Sequence, residues 1–225
     1  REIAEVAFES PYNASEKIFA KDFLGKKSKR NYRSTTARIN ESPEILISEP
    51  EGARVEQHAL AYYEARGYTG IHSENYLWRG LFGLVFWEEL FGNDHATFHN
   101  PLQRMPSDLH TEAFYTNRKT HLDTKLSRLK SKKQFQSFLE STYQEKEGIN
   151  NYMVGWHESL LPTLEACIKH LPLKGIKAVL LEMSRNVKDN SAGFPDLFIW
   201  NNDDYHFYEI KSPNDHLSAQ QLFWL

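Results

Sequence analysis

Residues 193–225 read GFPDLFIWNNDDYHFYEIKSPNDHLSAQQLFWL, and this stretch decides the fold of the C-terminal part of the chain. The apolar run Leu197–Trp200 is typical of a strand, residues 201–204 are typical of a turn, and residues 205–211 predict a second strand. Two short strands that are joined by a short polar turn predict a β-hairpin. Ser218 is a favourable N-cap residue and predicts a helix after the hairpin.

Three charged residues of this hairpin, Asp196, Glu209 and Lys211, are candidates for catalysis. Glu209 and Lys211 are two apart on the predicted second strand, so their side chains should share a face, and the hairpin can bring Asp196 beside them. Neighbouring carboxylates repel each other unless a cation lies between them, and oxygen ligands suit Mg²⁺ or Mn²⁺. A bound divalent ion can activate water, and a lysine can orient that water or stabilise the transition state. The spacing indicates metal-dependent phosphodiester hydrolysis; the alternative is an ordinary Glu/Lys pair on a surface hairpin.

The composition of the chain sets broader limits. Its 225 residues, 40% hydrophobic and 25% charged, are enough for one large domain or two small ones with a buried core. A formal net charge of −3 is not the basic balance of many nucleic-acid-binding proteins, so DNA contacts would need local basic patches or bound metal. Cys167 is the single cysteine, which excludes an intramolecular disulfide and favours an intracellular setting. No apolar run reaches the roughly 18 residues that predict a membrane span.

The patterns along the chain divide it into three segments. They are an N-terminal segment with a basic arm over 1–53, a helical part over 54–192, and the catalytic motif segment 193–225. Helices are predicted over 54–66, 74–91 and 162–171 and twice within 111–147, while residues 173–187 fit a helix or a strand. The helix over 74–91 is apolar nearly all round, which predicts burial. Because the chain begins with Arg1 and stops inside a predicted helix, we expect it to be part of a longer protein.

Residues 26–38, KKSKRNYRSTTAR, form the basic arm. The stretch holds no acid, and its Ser, Thr and Asn residues predict a loop or an extended arm. Such an arm could bind DNA phosphates, and the alternative is a solvated flexible loop. The candidate DNA-binding residues are Lys26, Lys27, Lys29, Arg30 and Arg33 of the arm, together with Arg118 and Arg185.

The C-terminal stretch resembles the VRR-NUC branch of the PD-(D/E)xK nuclease superfamily. Asp196 matches the motif aspartate, residues 209–211 match the E-x-K motif, and residues 212–218 resemble the segment that follows the lysine. The family typically has Gly and Arg at the places of Ser212 and His216, neither of which carries the metal.

Motifs farther upstream resemble the Fanconi-associated nuclease family. The sequence LWRG over 77–80 makes the resemblance closest to bacterial members, and the match covers roughly residues 20–225. It implies an α/β fold, in which a helical N-terminal part packs on a restriction-endonuclease-like core with a small mixed sheet flanked by helices. The motifs are Val55-Glu56, Ala59-Leu60, Gly67-Tyr68, Gly70, His72, Glu74, Leu81-Phe82-Gly83-Leu84, Trp87, Pro106, Asp108-Leu109, Phe114-Tyr115 and Arg118.

The resemblance also implies a larger site. An upstream helical glutamate would complete the metal site, and Glu74 is favoured because it lies at the start of the buried helix, with Glu56 as the alternative. Ile210 would offer its backbone carbonyl to the metal, and Gln221 would point toward the metal or the DNA.

The function that the resemblance implies is hydrolysis of branched or flapped DNA with Mg²⁺ or Mn²⁺. It includes 5′-flap incision and 5′→3′ exonuclease action in the repair of cross-linked DNA, in the cytoplasm of a bacterium. Two alternatives stay open. One is a catalytically inactive DNA-binding module that keeps the fold, and the other is a structural helical scaffold.

Overall fold

The structure is a computed structural model that describes residues 1–39, 41–46, 54–92, 98–100, 102–212 and 215–225. The α/β class is confirmed, because helices surround one small sheet. In chain order the elements are α1 (Glu2–Glu9), α2 (Ala14–Ser28), α3 (Thr35–Ile39), α4 (Val55–Glu64), β1 (Thr69–His72), α5 (Glu74–Val85), α6 (Trp87–Phe91), α7 (Glu112–Arg128), α8 (Lys132–Lys146), α9 (Leu160–His170), α10 (Leu173–Arg185), α11 (Val187–Asn190), β2 (Leu197–Trp200), β3 (Tyr205–Tyr208) and α12 (Ala219–Trp224).

The sheet has the order β1-β2-β3, and the predicted hairpin forms its second and third strands. His72 pairs with Leu197, and Leu197 pairs on its other side with Tyr208. The strands described pair antiparallel throughout, where a mixed sheet was expected. β1 was not predicted, because its four residues, TGIH, include a glycine and show no strand pattern by themselves. The central strand β2 is almost entirely buried, since it has a neighbour on each side.

The second strand of the hairpin is shorter than predicted. It ends at Tyr208, so Glu209 and Lys211 follow the strand and do not lie on it. The antiparallel register would place Glu209 opposite Asp196 and then Ile210 opposite Pro195, which has no N–H group to donate to a ladder. Pairing therefore stops before the catalytic motif, and the backbone there is free to make other contacts.

Helix α5 is the centre of the helical part. Its residues from Leu77 to Val85 are buried apart from Arg79, as its apolar sequence predicted, and it packs against α8, α9 and α10. Gly83 allows one of these close approaches, because a Cβ atom there would lie 2.5 Å from Val154 Cγ2. The predicted helix over 74–91 is divided at Phe86 into α5 and α6. Residues 173–187, which fitted helix or strand, form helix α10 and the start of α11.

The basic arm is partly helical, which corrects the prediction of a loop. Lys26 and Lys27 lie in the last turn of α2, which begins after an Asn13 N-cap, and Lys29 ends the helix. The interleaved polar residues suggested a loop, but the earlier residues of α2 extend the helix into the basic stretch. Helix α2 packs against α1 and α12, so the N-terminal segment contacts the C-terminal one. Among the described residues, no helix is both long and apolar enough for a membrane span.

Candidate active site

Asp196 connects the hairpin to the start of helix α5. Its Oδ2 accepts a hydrogen bond from the backbone N–H of Ile210 at 2.8 Å. The chain just after β3 therefore folds over the start of β2. The backbone carbonyl of Asp196 accepts from the N–H groups of Ser73 and Glu74 at 2.8 and 3.2 Å. Because Ile210 is the neighbour of Glu209, these bonds bring Asp196, Glu209 and Glu74 into one region.

Glu209 is an enclosed acid of this region, with its side chain 4% exposed. The ammonium group of Lys211 lies 2.9 Å from Glu209 Oε1, and the side-chain amide of Gln221 donates a hydrogen bond to the same oxygen. Glu209 Oε2 is buried and has no hydrogen-bond partner among the described residues. One carboxylate oxygen is therefore held twice, and the other is left for an additional ligand.

Gln221 reaches Glu209 because Gly193 lets the last helix come close. Gly193 has φ +82°, a conformation that side chains other than glycine rarely adopt. A Cβ atom at this position would lie 2.5 Å from the backbone carbon of Gln220 and 2.7 Å from the backbone nitrogen of Gln221. Ser218 caps the helix by accepting from Gln221 N–H, as its sequence position predicted. Gly193 and Ser218 thus orient the side chain that holds Glu209.

Burial raises the pKa of both central carboxyl groups. For Asp196, the Ile210 N–H group opposes this rise in pKa, while the negative charge of Glu56 adds to it. For Glu209, the Lys211 ammonium lowers the pKa, while Asp196 and Glu74 raise it again. The two carboxylates are therefore negative at a free-energy cost, and a cation bound between them would relieve it.

The two candidates for the upstream glutamate lie on different elements. Glu74 is exposed, begins α5 and has φ +35°, an unusual value for a residue other than glycine. Glu56 lies in the first turn of α4, the helix that packs on β1. Each of the two affects the pKa of a different central carboxyl group, so Glu74 and Glu56 both remain candidates.

The residues present fit a divalent metal ion in part. The unpartnered Glu209 oxygen, the neighbouring Asp196 carboxylate and the Ile210 carbonyl are hard oxygen donors of the kind that Mg²⁺ and Mn²⁺ prefer. Across the part of the chain that is described, however, no three acidic, histidine or cysteine side chains converge as one metal-holding group. Asp196 and Glu209 thus lie together. Among the described residues, neither Glu74 nor Glu56 completes a three-residue metal site with them.

Asn75 is a residue of this region that the sequence did not suggest. Its Oδ1 accepts a hydrogen bond from the backbone N–H of Phe194 at 3.2 Å, two residues before Asp196. Asn75 therefore fixes the segment that carries the motif aspartate against α5. An asparagine directly after the candidate Glu74 was the available signal, but only the fold shows what it contacts.

Arg118 was predicted to contact DNA, and the structure contradicts that role. Its side chain is fully buried and forms two hydrogen bonds with Asp108, at 2.7 and 3.1 Å. Its Nε donates to the backbone carbonyl of Glu89 at 2.8 Å. The charge-rich sequence of α7 did not reveal that the helix turns Arg118 into the core. No part of its guanidinium can reach a phosphate.

The remaining basic candidates are exposed, and their DNA contacts stay predictions. Arg33 forms an ion pair with Glu41, and Arg185 forms one with Glu182 at 2.8 Å. Both guanidinium groups keep solvent access, because their side chains are more than half exposed. The other exposed members of the arm are Lys26, Lys27, Lys29 and Arg30.

The chain is similar in sequence to known nucleases. Residues 130–225 match the family model of the VRR-NUC domain. This stretch of the chain contains helices α8 to α11 as well as the hairpin. The chain is 33% identical over 177 residues to the Fanconi-associated nuclease 1 homolog of Schizosaccharomyces pombe, covering 76% of this chain and 25% of that protein. The chain is related to the Fanconi-associated nucleases. Human Fanconi-associated nuclease 1 is 31% identical over 178 residues, covering 76% of this chain and 18% of that protein.

Solved structures of a Fanconi-associated nuclease share the fold. A crystal structure of paFAN1 bound to 1nt 5′-flap DNA with a gap matches with a TM-score of 0.74 and 28% identity, over 99% of this chain and 42% of that one. The structure of paFAN1 with a 2nt 5′ flap matches with a TM-score of 0.75 and 26% identity, over the same shares. The chain spans a quarter or less of the length of the two curated relatives named above. The closer resemblance to bacterial members stays a prediction.

Proposed function

We propose that the protein is a divalent-metal-dependent DNA nuclease whose acidic centre is formed by Asp196, Glu209 and Lys211. The observation that supports this most is the environment of Glu209. A buried carboxylate has one oxygen held by Lys211 and Gln221 and a second oxygen without a partner, beside another carboxylate of raised pKa. A purely structural ion pair would be expected to satisfy both oxygens.

The contacts of these residues suggest a separate role for each of them. Asp196, Glu209 and the carbonyl of Ile210 would hold the ion, with Glu74 or Glu56 as the additional acid. When bound, the ion supplies activation of a water molecule and stabilisation of phosphoryl charge. Lys211, which is 30% exposed, can also donate a hydrogen bond to the attacking water or to the scissile phosphate.

Gln221 acts on the geometry of the centre. Its amide fixes the rotamer of Glu209, and the Ser218 cap in turn fixes the start of the helix that carries Gln221. Holding a catalytic carboxylate in place before substrate binds reduces the cost of reorganisation during the reaction. The N–H of Ile210 has the same effect on Asp196.

The proposed substrate is branched or flapped DNA, and the proposed actions are 5′-flap incision and 5′→3′ exonuclease cleavage in DNA repair, including repair of interstrand cross-links. Two paFAN1 structures with bound 5′-flap DNA and a fold shared over 99% of this chain support the flap substrate. The exposed basic residues of the arm, among them Lys26 and Arg30, offer phosphate contacts that a chain of net charge −3 otherwise lacks.

The test is cleavage of a labelled 5′-flap DNA by the full-length protein with Mn²⁺, with a 3′-flap DNA alongside. Asp196→Asn should lower the cleavage rate by about 10²–10³-fold, a loss typical for removal of one preorganised electrostatic group. Asp123→Asn is the matched control and should leave the rate unchanged, because Asp123 is an acid of α7 outside the acidic centre, with its side chain 45% exposed.

Other outcomes separate the alternatives. Equal cleavage by the wild type and by Asp196→Asn would show that the acidic centre is wrongly assigned. Binding of flap DNA without any cleavage by the wild type would favour an inactive DNA-binding module. Calorimetric titration with Mn²⁺ addresses the structural scaffold, which predicts no binding of the ion.

A further inference from the structure

Phe194 links two helices that border the acidic centre. It belongs to the segment that leads into β2, two residues before Asp196, and its side chain is buried. The ring of Trp78 stacks on the Phe194 ring with centroids 5.6 Å apart, and the ring of Trp224 stacks on it at 4.4 Å. Trp78 belongs to α5 and Trp224 belongs to α12. One phenylalanine therefore joins two helices that are far apart in the sequence.

On the α5 side, both the backbone and the ring of Phe194 are held. The backbone N–H donates to Asn75 Oδ1 at 3.2 Å, and the ring stacks on Trp78. Asn75 and Trp78 are three residues apart on the helix, a spacing that brings side chains to the same side. The segment that carries the motif aspartate is thus attached to α5 at two points, close to Glu74.

Helix α12 packs mainly against α2, which carries no residue of the acidic centre. The ammonium group of Lys17 in α2 lies 4.5 Å from the centroid of the Phe223 ring. On the side of the acidic centre, α12 meets Gly193 at its backbone and Phe194 at the ring of Trp224. These contacts therefore set the position of α12 relative to the acidic centre.

Gln221 depends on that position. Gln221 and Trp224 are three residues apart on α12, so their side chains lie on the same side of the helix. The amide of Gln221 donates a hydrogen bond to Oε1 of Glu209. A shift of the Trp224 ring therefore moves the amide group that holds Glu209.

The indole N–H of Trp224 shows that this stack has a cost. Its Nε1 is buried and has no hydrogen-bond partner among the described residues. A buried tryptophan N–H usually finds a partner, and one without a partner lowers the free energy of unfolding. A smaller apolar side chain would avoid that cost but would offer less aromatic surface to Phe194. The contact with Phe194 is the close parallel stack that offsets it.

We propose that Phe194 is a positioning residue of the nuclease, whose ring sets where α12 and Gln221 stand relative to Glu209. The proposal rests on the proposed nuclease function and adds to it a residue that acts through Gln221. Without the stacked ring, α12 shifts and the Gln221 amide leaves Glu209. The carboxylate must then be ordered when the ion binds, so both metal affinity and the rate of cleavage fall.

The first measurement is calorimetric titration of the full-length protein with Mn²⁺ in the absence of DNA. Phe194→Leu keeps an apolar side chain but removes the ring, and it should raise the Kd for Mn²⁺ by about 10-fold, as loss of an outer partner of a metal ligand does. Single-turnover cleavage of a labelled 5′-flap DNA should slow by a similar factor. The Kd for that DNA in EDTA should not change, because Phe194 is buried.

The matched control is Phe86→Leu. Phe86 is also a buried phenylalanine with an aromatic partner, since its ring lies 5.1 Å from that of Phe82, but it stands at the opposite end of α5 from Glu74. Phe86→Leu should lower Tm about as much as Phe194→Leu and keep the Mn²⁺ affinity and the cleavage rate of the wild type. Equal Mn²⁺ affinities for the wild type and Phe194→Leu, or equal losses in the two variants, would overturn the proposal.

A double variant tests whether Phe194 acts through Gln221. Gln221→Met removes the amide donor and keeps a side chain of similar length. Phe194→Leu should add little to the effect of Gln221→Met, whereas effects that multiply would show that the two residues act independently and would contradict the proposal. If Phe194→Leu does not fold, Trp224→Leu removes the same stack from the α12 side and takes its place in each comparison.

Failure of the nuclease function itself gives a different result. A wild type that neither binds Mn²⁺ nor cuts the flap DNA would overturn the proposed function and the positioning role with it. A wild type that does both, beside a Phe194→Leu variant that matches it, would overturn the positioning role alone.

Discussion

Two largely buried carboxylates of this protein are paired to different extents. In the helical part, Asp108 receives two hydrogen bonds from the fully buried guanidinium of Arg118, whose Nε is satisfied by a backbone carbonyl. At the hairpin, Glu209 meets the single ammonium of Lys211, a second acid stands close by, and one of its oxygens has no partner among the described residues.

The difference shows what each pair does. A buried charge that is fully matched stabilises one arrangement, because removal of either partner leaves the other uncompensated. A buried charge that is incompletely matched lowers the free energy of unfolding, and evolution retains such a cost where a ligand or substrate later offsets it. The Arg118 pair is therefore part of the scaffold, and the Glu209 cluster is the place to look for chemistry.

The largest effect is expected at the scaffold pair. Arg118→Met should lower the free energy of unfolding by about 3–5 kcal/mol, because it removes the guanidinium that pairs with the largely buried Asp108 carboxylate. Urea unfolding measures the loss. The double variant Arg118→Met with Asp108→Leu replaces the pair by apolar side chains and should recover much of it. A loss below about 1 kcal/mol for the single variant would mean that this pair stabilises the fold no more than an exposed ion pair does, which would contradict the prediction.

The next largest effect is expected for substitution of Lys211, and it is measured as the rate of flap cleavage. Lys211→Gln should lower flap cleavage by about 10²-fold, since it removes a charged donor from the centre. Because the ammonium lowers the pKa of Glu209, its removal should also move the acidic limb of the pH–rate profile to higher pH. Lys119→Gln, at an exposed site on α7, is the control for lost charge. An unshifted limb would contradict the coupling of the two groups.

A third effect is a change of stability with pH in metal-free buffer. The folded-state pKa of Glu209 is raised, so ionisation favours the unfolded state and stability should fall as pH rises above the ordinary value of 4.5. Glu209→Gln should remove this part of the fall and raise Tm at neutral pH. Added Mn²⁺ should raise the Tm of the wild type more than that of the variant. Thermal unfolding across pH measures both, and a lower Tm for Glu209→Gln would show that the Lys211 pair outweighs burial.

The smallest effect is expected for an exposed ion pair. Lys119 and Asp123 lie 3.3 Å apart on α7, with side chains 60% and 45% exposed. Lys119→Met should change the free energy of unfolding by about 0.5 kcal/mol or less, since solvent screens this i,i+4 pair. A loss comparable with that of Arg118→Met in the same urea experiment would remove burial as the explanation of the first prediction.

Local patterns were enough to predict much of the fold. The β-hairpin, the Ser218 cap, the buried helix α5 and the two charge-rich helices α7 and α8 are all confirmed. Each of these depends on residues close together in the chain, such as an apolar run beside a turn. Strand β1 was missed because its four residues become a strand only through pairing with β2, which lies more than 120 residues later.

The candidate site was predictable in type but not in geometry. Asp196, Glu209 and Lys211 were expected on two strands, whereas pairing stops at Tyr208 and the Ile210 N–H turns to Asp196. The upstream acid illustrates the same limit. Glu74 and Glu56 were both candidates on the sequence, and each influences a different member of the central pair in the structure.

The sequence by itself determined which residue types stand at which spacings, and with them the hairpin, the helix cap and the acidic motif. Only the tertiary structure decided which charges are matched. It placed Arg118 in the core and left an oxygen of Glu209 without a partner among the described residues. The physical reason is that spacing along a helix or strand is local, whereas burial and charge pairing depend on every element that packs against a residue.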